Sequence, residues 1–144
     1  MYELKRRERI VEHVKLGDET LEINIDPEEK AQEYQRAQAD IIKAQDAIKE
    51  ARKEGKPGAE VLQRYGEAIV QFLRVIFGQE NTEKILVFYE NRYVEMSGEV
   101  LPFVVGVIKP RMDKAVAAMR SRIRDTYKKA KYGNKWNLGS KLFR

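Results

Sequence analysis

The stretch ILVFYENRYVEMSGEVLPFVVGVI, residues 85–108, is the one long segment of this chain in which apolar and aromatic residues dominate. It divides at Ser97-Gly98, because a small polar residue followed by glycine favours the end of a helix. The part before this pair spaces its apolar residues as one face of a helix, and Asn81 or Thr82 could cap it.

Residues 100–108 are apolar on every side, which predicts a central and largely buried helix. Pro102 lies near the expected start of this helix, and Pro110 should bend or break the chain just beyond it. The β-branched residues would also allow a strand, but a proline argues against a central strand. We therefore prefer the helix.

Residues 10–25 alternate apolar and polar side chains in two short runs, which is the signature of β-strands. Gly17-Asp18 supplies the turn between the runs, so a hairpin is predicted there. A hairpin alone is marginal, and its apolar face should therefore cover a helix. The positions expected on that face are Ile10, Val14, Leu16, Leu21, Ile23 and Ile25.

A first long helix is predicted from Asp26-Pro27, a residue pair that suits an N-cap and the first helical position. Its apolar residues recur at alternating spacings of three and four, which indicates a narrow seam. The seam is formed by Tyr34, Ala37, Ile41, Ala44, Ile48 and Ala51. Residues 55–58, with sequence GKPG, should end this helix. A second helix over 59–77, closed by Gly78, would then return along the seam as an antiparallel neighbour, although the seam could also bind another chain.

The last helix is predicted after Pro110, and its periodicity is lost from Lys131. The pattern as a whole predicts a mainly α fold of four to five helices with a small N-terminal β-hairpin at about 10–25. One domain is expected over residues 1–130, followed by a basic, aromatic and flexible tail at 131–144.

Composition narrows the class of protein. The chain of 144 residues contains no cysteine, so disulfides and thiolate metal sites are excluded. The N-terminus has no apolar segment typical of a secretory signal, and no run reaches the roughly 18 apolar residues of a membrane helix. A soluble, intracellular protein without membrane contact is expected.

The net charge of +5 conceals a division along the chain. Residues 109–144 contain 12 Lys or Arg and 2 Asp or Glu, whereas the preceding 108 residues carry a net charge of −5. This division favours either a polyanionic partner or self-association, in which the basic end of one copy meets the acidic body of another.

Catalytic chemistry is not indicated by any motif. His13 is the single histidine and falls on the expected wet face of a strand, so we interpret it as an exposed polar residue. Acidic residues of the first helix alternate with Lys and Arg at helical offsets, which solvated ion pairs explain without a metal. Phosphate-binding loops, nucleophile elbows and zinc spacings are not found, so neither enzymatic activity nor a cofactor or metal is predicted.

The basic end of the chain carries the candidate partner-binding residues. Arginines and lysines alternate there with aromatic residues, which suits phosphate contact and base stacking. Apolar residues further along could dock into a groove of the same chain, of another copy or of another protein. A solvated end without binding function is the alternative. The candidates are Arg120, Arg124, Tyr127, Lys128, Tyr132, Trp136, Leu138, Leu142 and Phe143.

The segment FGQENTEKIL at residues 77–86 begins a family resemblance, which continues through Phe88-Tyr89-Glu90-Asn91 to Met96 and into 101–110. Over most of residues 10–125 the chain resembles tail assembly chaperones of tailed phages and prophages of Gram-positive bacteria. The order of a hairpin, an acidic helix, this segment and a charged end is also similar.

The resemblance implies a helical, non-enzymatic protein in the host bacterial cytoplasm that binds the long tape-measure protein during tail assembly. Two alternatives remain open. One is a structural phage component, such as a connector or tail subunit, and the other is a nucleic-acid-binding protein that uses residues 109–144.

Overall fold

The computed structural model describes residues 1–56 and 58–133, with the backbone alone at 132 and 133. Within these residues two strands, β1 (Ile10–Leu16) and β2 (Glu19–Ile25), precede three helices. The first two helices are α1 (Pro27–Lys53) and α2 (Ala59–Phe88). The third, α3, spans 93–133 and consists of the α-helical segments Tyr93–Phe103 and Lys109–Lys128 and the π-helical segments Val104–Ile108 and Lys129–Gly133. The mainly helical fold with an N-terminal hairpin is confirmed, but the predicted count of four to five helices is wrong.

The hairpin forms as predicted. β1 and β2 pair antiparallel from Ile10 opposite Ile25 to Leu16 opposite Glu19, which leaves a two-residue turn. Gly17, the first residue of this turn, has φ +62°, the left-handed value that a type II′ turn gives to glycine. One face is apolar and packs into the core with α2, as expected. Its buried residues are Ile10, Leu21, Ile23 and Ile25.

Polar contacts fix both edges of the hairpin to the helices. Asn81 Nδ2 in α2 donates to the carbonyl of Glu22 on β2 at 2.9 Å. On the other edge, Arg111 Nη1 in α3 donates to the carbonyl of Val11 at 3.1 Å and to Oε1 of Glu12 at 2.7 Å. The hairpin therefore lies between α2 and α3, and its position determines where α3 leaves the core.

α1 begins and packs as its sequence predicts. The carboxylate of Asp26 accepts a hydrogen bond from the Glu28 backbone N–H at 3.1 Å, and Pro27 is the first helical residue. The first four seam residues, from Tyr34 to Ala44, are buried against the core. The Tyr34 and Phe72 rings lie 5.5 Å apart, so α2 is the partner of this seam. Because the connection between the two long helices is short, they pack as an antiparallel pair.

The helix is interrupted at Gly78, where its end was predicted, but the helical residues on both sides belong to one element, α2. Gly78 has φ 82° and ψ 169°, outside the helical region, yet helical structure resumes at once and continues to Phe88. Thr82, expected as an N-cap, is fully buried, and its hydroxyl donates instead to the Gly78 carbonyl at 2.7 Å. The predicted separate third helix is therefore the second half of α2.

The predicted break at Ser97-Gly98 is also wrong, because helix continues through both residues. The chain turns at 89–92 instead, where Glu90 and Asn91 have φ values of 54° and 60°. The Asn91 N–H donates to the Leu86 carbonyl, and the Glu90 N–H donates to the Val87 carbonyl. These two bonds form a Schellman motif, which closes α2 without glycine.

Residues 100–108 are helical, as preferred, but they are less buried than predicted. Val104 and Ile108 are buried, whereas Val105 is 57% exposed. Pro102 lies near the end of its α-helical segment rather than at its start. Pro110 does not break the helix, because α3 changes to π-helical geometry just before it, where the Lys109 N–H donates to the Val104 carbonyl.

Candidate partner-binding surface

α3 leaves the core along its length. Met112 is fully buried, and Val116 and Met119 are half-buried, so the helix is anchored over this part. From Arg122 to Lys131 every residue is exposed. The helical spacing of Met112, Val116 and Met119 continues to Ile123 and Tyr127, but these last two side chains are exposed rather than packed against the core.

The predicted site residues that lie within the described ranges share the exposed end of α3. Arg120, Arg124 and Lys128 follow one another at spacings of four, which places them on one face of the helix. Tyr127 lies between them on this face, is 63% exposed and has the Lys131 Nζ 5.8 Å from its ring centroid. We call Arg120, Arg124, Tyr127 and Lys128 the basic face.

The other predicted site residues are only partly placed. Tyr132 lies on the π-helical segment that ends α3, so helical backbone extends beyond residue 130, where the tail was expected to start. Trp136, Leu138, Leu142 and Phe143 lie outside the described residues. The structure therefore neither joins them to the basic face nor separates them from it.

The arginines and lysines of the basic face have no carboxylate partners among residues 1–56 and 58–133. Ion pairs of α3 lie nearer its start, where Lys109 contacts Asp113 at 2.7 Å and Arg111 contacts Glu12. Asp125 is the single acidic residue between Lys114 and Lys131. The uncompensated positive charge is therefore available to a partner.

A groove that the sequence did not predict runs beside the basic face. The N-terminal arm, residues 5–9, lies across from 115–126 of α3, and the first turns of α1 form the third wall. The space between them has a volume of about 900 Å³. Pro27, Ala31, Ala115, Val116, Met119 and Ile123 give this groove an apolar lining.

Positive charge surrounds this apolar lining. Six basic and three acidic residues line the groove, which gives it a net charge of +3. The basic residues are Lys5, Arg6, Arg7, Arg9, Arg120 and Arg122. The acidic Asp26 is already engaged, because it caps α1 and lies 3.7 Å from Nη1 of Arg9. A complementary partner would thus present apolar side chains surrounded by carboxylates.

The signal that could have revealed the groove is the run KRRER at residues 5–9. From the sequence alone, residues 2–8 were predicted either to extend β1 or to fray, because periodicity does not show what a non-repeating segment packs against. Arg9 fixes the arm, since its Nε donates to the side-chain carbonyl of Asn24.

The residues considered for catalysis are solvated. His13 is exposed, as predicted, with its Nε2 3.7 Å from a carboxylate oxygen of Glu22 on the neighbouring strand. Lys30 in α1 pairs with Glu33 at 3.4 Å, the helical ion pairing expected there. Among residues 1–56 and 58–133, the structure contains no cluster of three or more histidines and carboxylates that could hold a metal.

Comparison with models of known protein families, with curated proteins and with solved structures finds no match for this chain. Within the part of the chain that the structure describes, none of the helices is both long enough and apolar enough to cross a membrane.

Proposed function

We propose that this chain is a tail assembly chaperone of a tailed phage, which binds the tape-measure protein without catalysis in the host cytoplasm. The sequence resemblance at residues 77–110 is the basis for naming this class. The helical fold with an N-terminal hairpin supports it, since this is the plan that the resemblance implies.

The observation that carries a binding function is the exposed end of α3. Ile123 and Tyr127, one helical turn apart, are 71% and 63% exposed. A tyrosine and an isoleucine beside the arginines and lysine of the basic face suit contact with an amphipathic helix that has acidic residues on its edges. A tape-measure protein is long and helical, so it could offer such segments repeatedly.

Co-purification tests the proposal. The tagged full chain would be co-expressed with overlapping fragments of the tape-measure protein from the same phage. We expect at least one fragment to co-purify, and Arg124→Glu combined with Tyr127→Asp should reduce its recovery about tenfold or more. Lys114→Glu is the matched control, because it reverses an exposed cation on the same helix away from the basic face.

Two results would contradict this function. The first is that none of the fragments co-purifies with the native chain. The second is stoichiometric presence of the protein in finished particles, which would favour the structural alternative of a connector or tail subunit.

Nucleic-acid binding is a second candidate, favoured by the unpaired cations of the basic face beside an exposed aromatic ring. Such binding depends steeply on salt, because each phosphate contact releases counterions. The native chain should then bind duplex or single-stranded DNA at low salt, and Arg120→Glu with Lys128→Glu should reduce both the affinity and the salt slope. Absence of binding at low salt would exclude this candidate.

A further inference from the structure

We propose that the groove between the N-terminal arm and α3 binds a second copy of this chain, through the acidic surface around the α2–α3 turn. This contact is distinct from the proposed binding of a tape-measure protein, although Arg120 and Ile123 belong to both surfaces. It is expected to join copies head to tail.

The proposed donor surface lies at residues 80–99, and we call it the acidic cap. This segment contains five glutamates and two basic residues, a net charge of −3. Glu80 and Glu99 are exposed and, within the described part of the chain, have no ion-pair partner. The pKa of Tyr89 is raised, first by burial and then by the negative charges of Glu99 and Glu95.

Apolar side chains stand out among these glutamates. Val87 is 76% exposed, Phe88 is 51% exposed and Val94 is 67% exposed, and all three lie at or next to the turn between the helices. Large apolar groups that project from a charged surface are characteristic of interaction sites. The acidic cap thus presents apolar side chains surrounded by carboxylates.

The groove is also apolar, but its charge is opposite to that of the acidic cap. Its lining is apolar and its net charge is +3, against −3 for the acidic cap. A volume of about 900 Å³ is enough to receive several apolar side chains. Arg6, Arg7 and Arg122 line this space. Apolar contact would supply affinity, and the charges would select the partner and its orientation.

Phe88 of the acidic cap and the groove lie at opposite ends of the hairpin. Phe88, in the acidic cap, lies against Gly17 at the turn, where an ideal Cβ on the glycine would be 3.2 Å from Cε2 of the ring. Arg9, in the groove, lies beside Asn24 at the other end. Strands of seven residues separate these ends by roughly 20 Å, so Phe88 does not reach the groove of its own chain.

A contact between different surfaces of identical chains is heterologous. Each copy that uses its groove still has a free acidic cap, so such contacts extend to a ring or an open filament. Self-association should therefore proceed beyond a dimer as the protein concentration rises. It should weaken with added salt, because the paired charges are near the surface.

The test uses the full chain in sedimentation velocity over a concentration series, at low and high salt. Arg7→Glu with Arg122→Glu changes the groove, and Glu80→Lys with Glu99→Lys changes the acidic cap. Each double variant should raise the dissociation constant for self-association about tenfold or more. Arg64→Glu with Lys114→Glu is the matched control, since it reverses two exposed cations outside both surfaces and should change that constant less than twofold.

Complementation makes the test independent of folding defects. A mixture of the groove variant and the acidic-cap variant should assemble, because each reversed surface meets its complement on the other chain. The chain that carries all four substitutions should also assemble, with its charges exchanged. Circular dichroism during urea unfolding would verify that each variant is folded.

Three outcomes would overturn the inference. One is a native chain that stays monomeric to about 1 mM protein at low salt. Another is self-association that neither double variant weakens. The third is loss of tape-measure binding in the groove variant while the native chain is monomeric, which would show that the groove receives the acidic helix of a client instead. The Arg124→Glu and Tyr127→Asp experiment tests the proposed function separately, because these residues do not line the groove.

Discussion

Gly66 shows at the scale of one residue how closely α2 and α3 pack. It is buried in α2, and an ideal Cβ there would lie 2.3 Å from Cδ2 and 2.7 Å from Cγ of Tyr93. These ring atoms are near the backbone of α3, so they cannot move without moving the helix. Gly66→Ala should therefore lower the free energy of unfolding by about 1–2 kcal/mol, even though alanine favours helix.

Gly98→Ala is the control for this prediction. Gly98 is helical and exposed, and an ideal Cβ there would have no neighbour within 4 Å. The same substitution should raise stability by about 0.5–1 kcal/mol in urea denaturation. Equal effects at the two positions would mean that the contact with Tyr93 is not tight.

The raised pKa of Tyr34 should make the stability of the fold depend on pH. Its ring is buried and its hydroxyl has no hydrogen-bond partner among the described residues, and burial, followed by the charge of Asp113, raises its pKa to about 12. The unfolded chain ionises near the ordinary value of 10, so the folded state binds more protons between pH 10 and 12. The stabilisation is complete below pH 10 and is lost as the pH rises through this window.

Tyr34→Phe should remove this part of the pH dependence. Below pH 9 the variant should be as stable as the native chain or more stable, because a buried hydroxyl without a partner is removed. Above pH 10 the native chain should lose more stability than the variant. Urea denaturation at several pH values measures the difference, and parallel curves for the two proteins would contradict the assignment.

At the scale of elements, the sequence predicted correctly those features that depend on interactions between residues close together in the chain. The cap at Asp26, the seam of α1 and the alternation of the hairpin each depend on neighbours within a few residues, and all three are confirmed. The number of helices was mispredicted because Gly98 was interpreted as an end and the segment after Gly78 as a separate helix. A glycine weakens a helix by about 1 kcal/mol, which packing in a long helix can offset.

The actual end of α2 was missed because its left-handed residue is a glutamate. Glu90 occupies the position after the helix that usually holds glycine, with φ 54°. A side chain other than glycine is strained there. Sequence patterns therefore favoured the glycines at 78 and 98 over the position where the chain turns.

Glu90→Gly should accordingly stabilise the protein by about 0.5–1 kcal/mol, since it relieves the left-handed strain. Glu99→Gly is the matched control, because Glu99 is exposed in the interior of a helical segment, where glycine should cost about 1 kcal/mol. In thermal or urea unfolding, Glu90→Gly should be more stable than the native chain and Glu99→Gly should be less stable. A loss of stability in Glu90→Gly would contradict this account of the turn.

At the scale of the whole molecule, the stable body and the proposed binding end are separable. Ending the chain after Thr126 removes residues 127–144, which include part of the basic face, and within the described residues 127–133 none lines the groove. The free energy of unfolding should change by less than about 1 kcal/mol, because the fully buried anchor of this part of α3 is Met112.

Met112→Ala provides the contrast, with an expected loss of about 2–5 kcal/mol in urea denaturation. The truncated chain should still self-associate through the groove and the acidic cap, but it should not bind the tape-measure protein. A large loss of stability in the truncated chain would mean that residues beyond 126 belong to the core.

The candidate surfaces were only half predictable. Arg120, Arg124 and Lys128 follow a helical spacing, so their common face could be read from the chain. The groove could not, because it joins residues 5–9 to residues 115–126, and no periodicity connects segments about a hundred residues apart. Its arm has no regular structure of its own, so its place depends entirely on the packing of the helices.

The π-helical turn at Val104–Ile108 has a consequence for how this chain could change over evolution. A π-helical turn holds one residue more than an α-helical turn, and each residue of an α-helix rotates the chain by about 100°. Deleting one residue there would turn everything downstream by that angle, so Met112 would turn away from the core and the basic face would turn with it. The direction of the charged surface therefore depends on how many residues precede it in α3. A single insertion or deletion there could redirect this surface without altering any residue that binds.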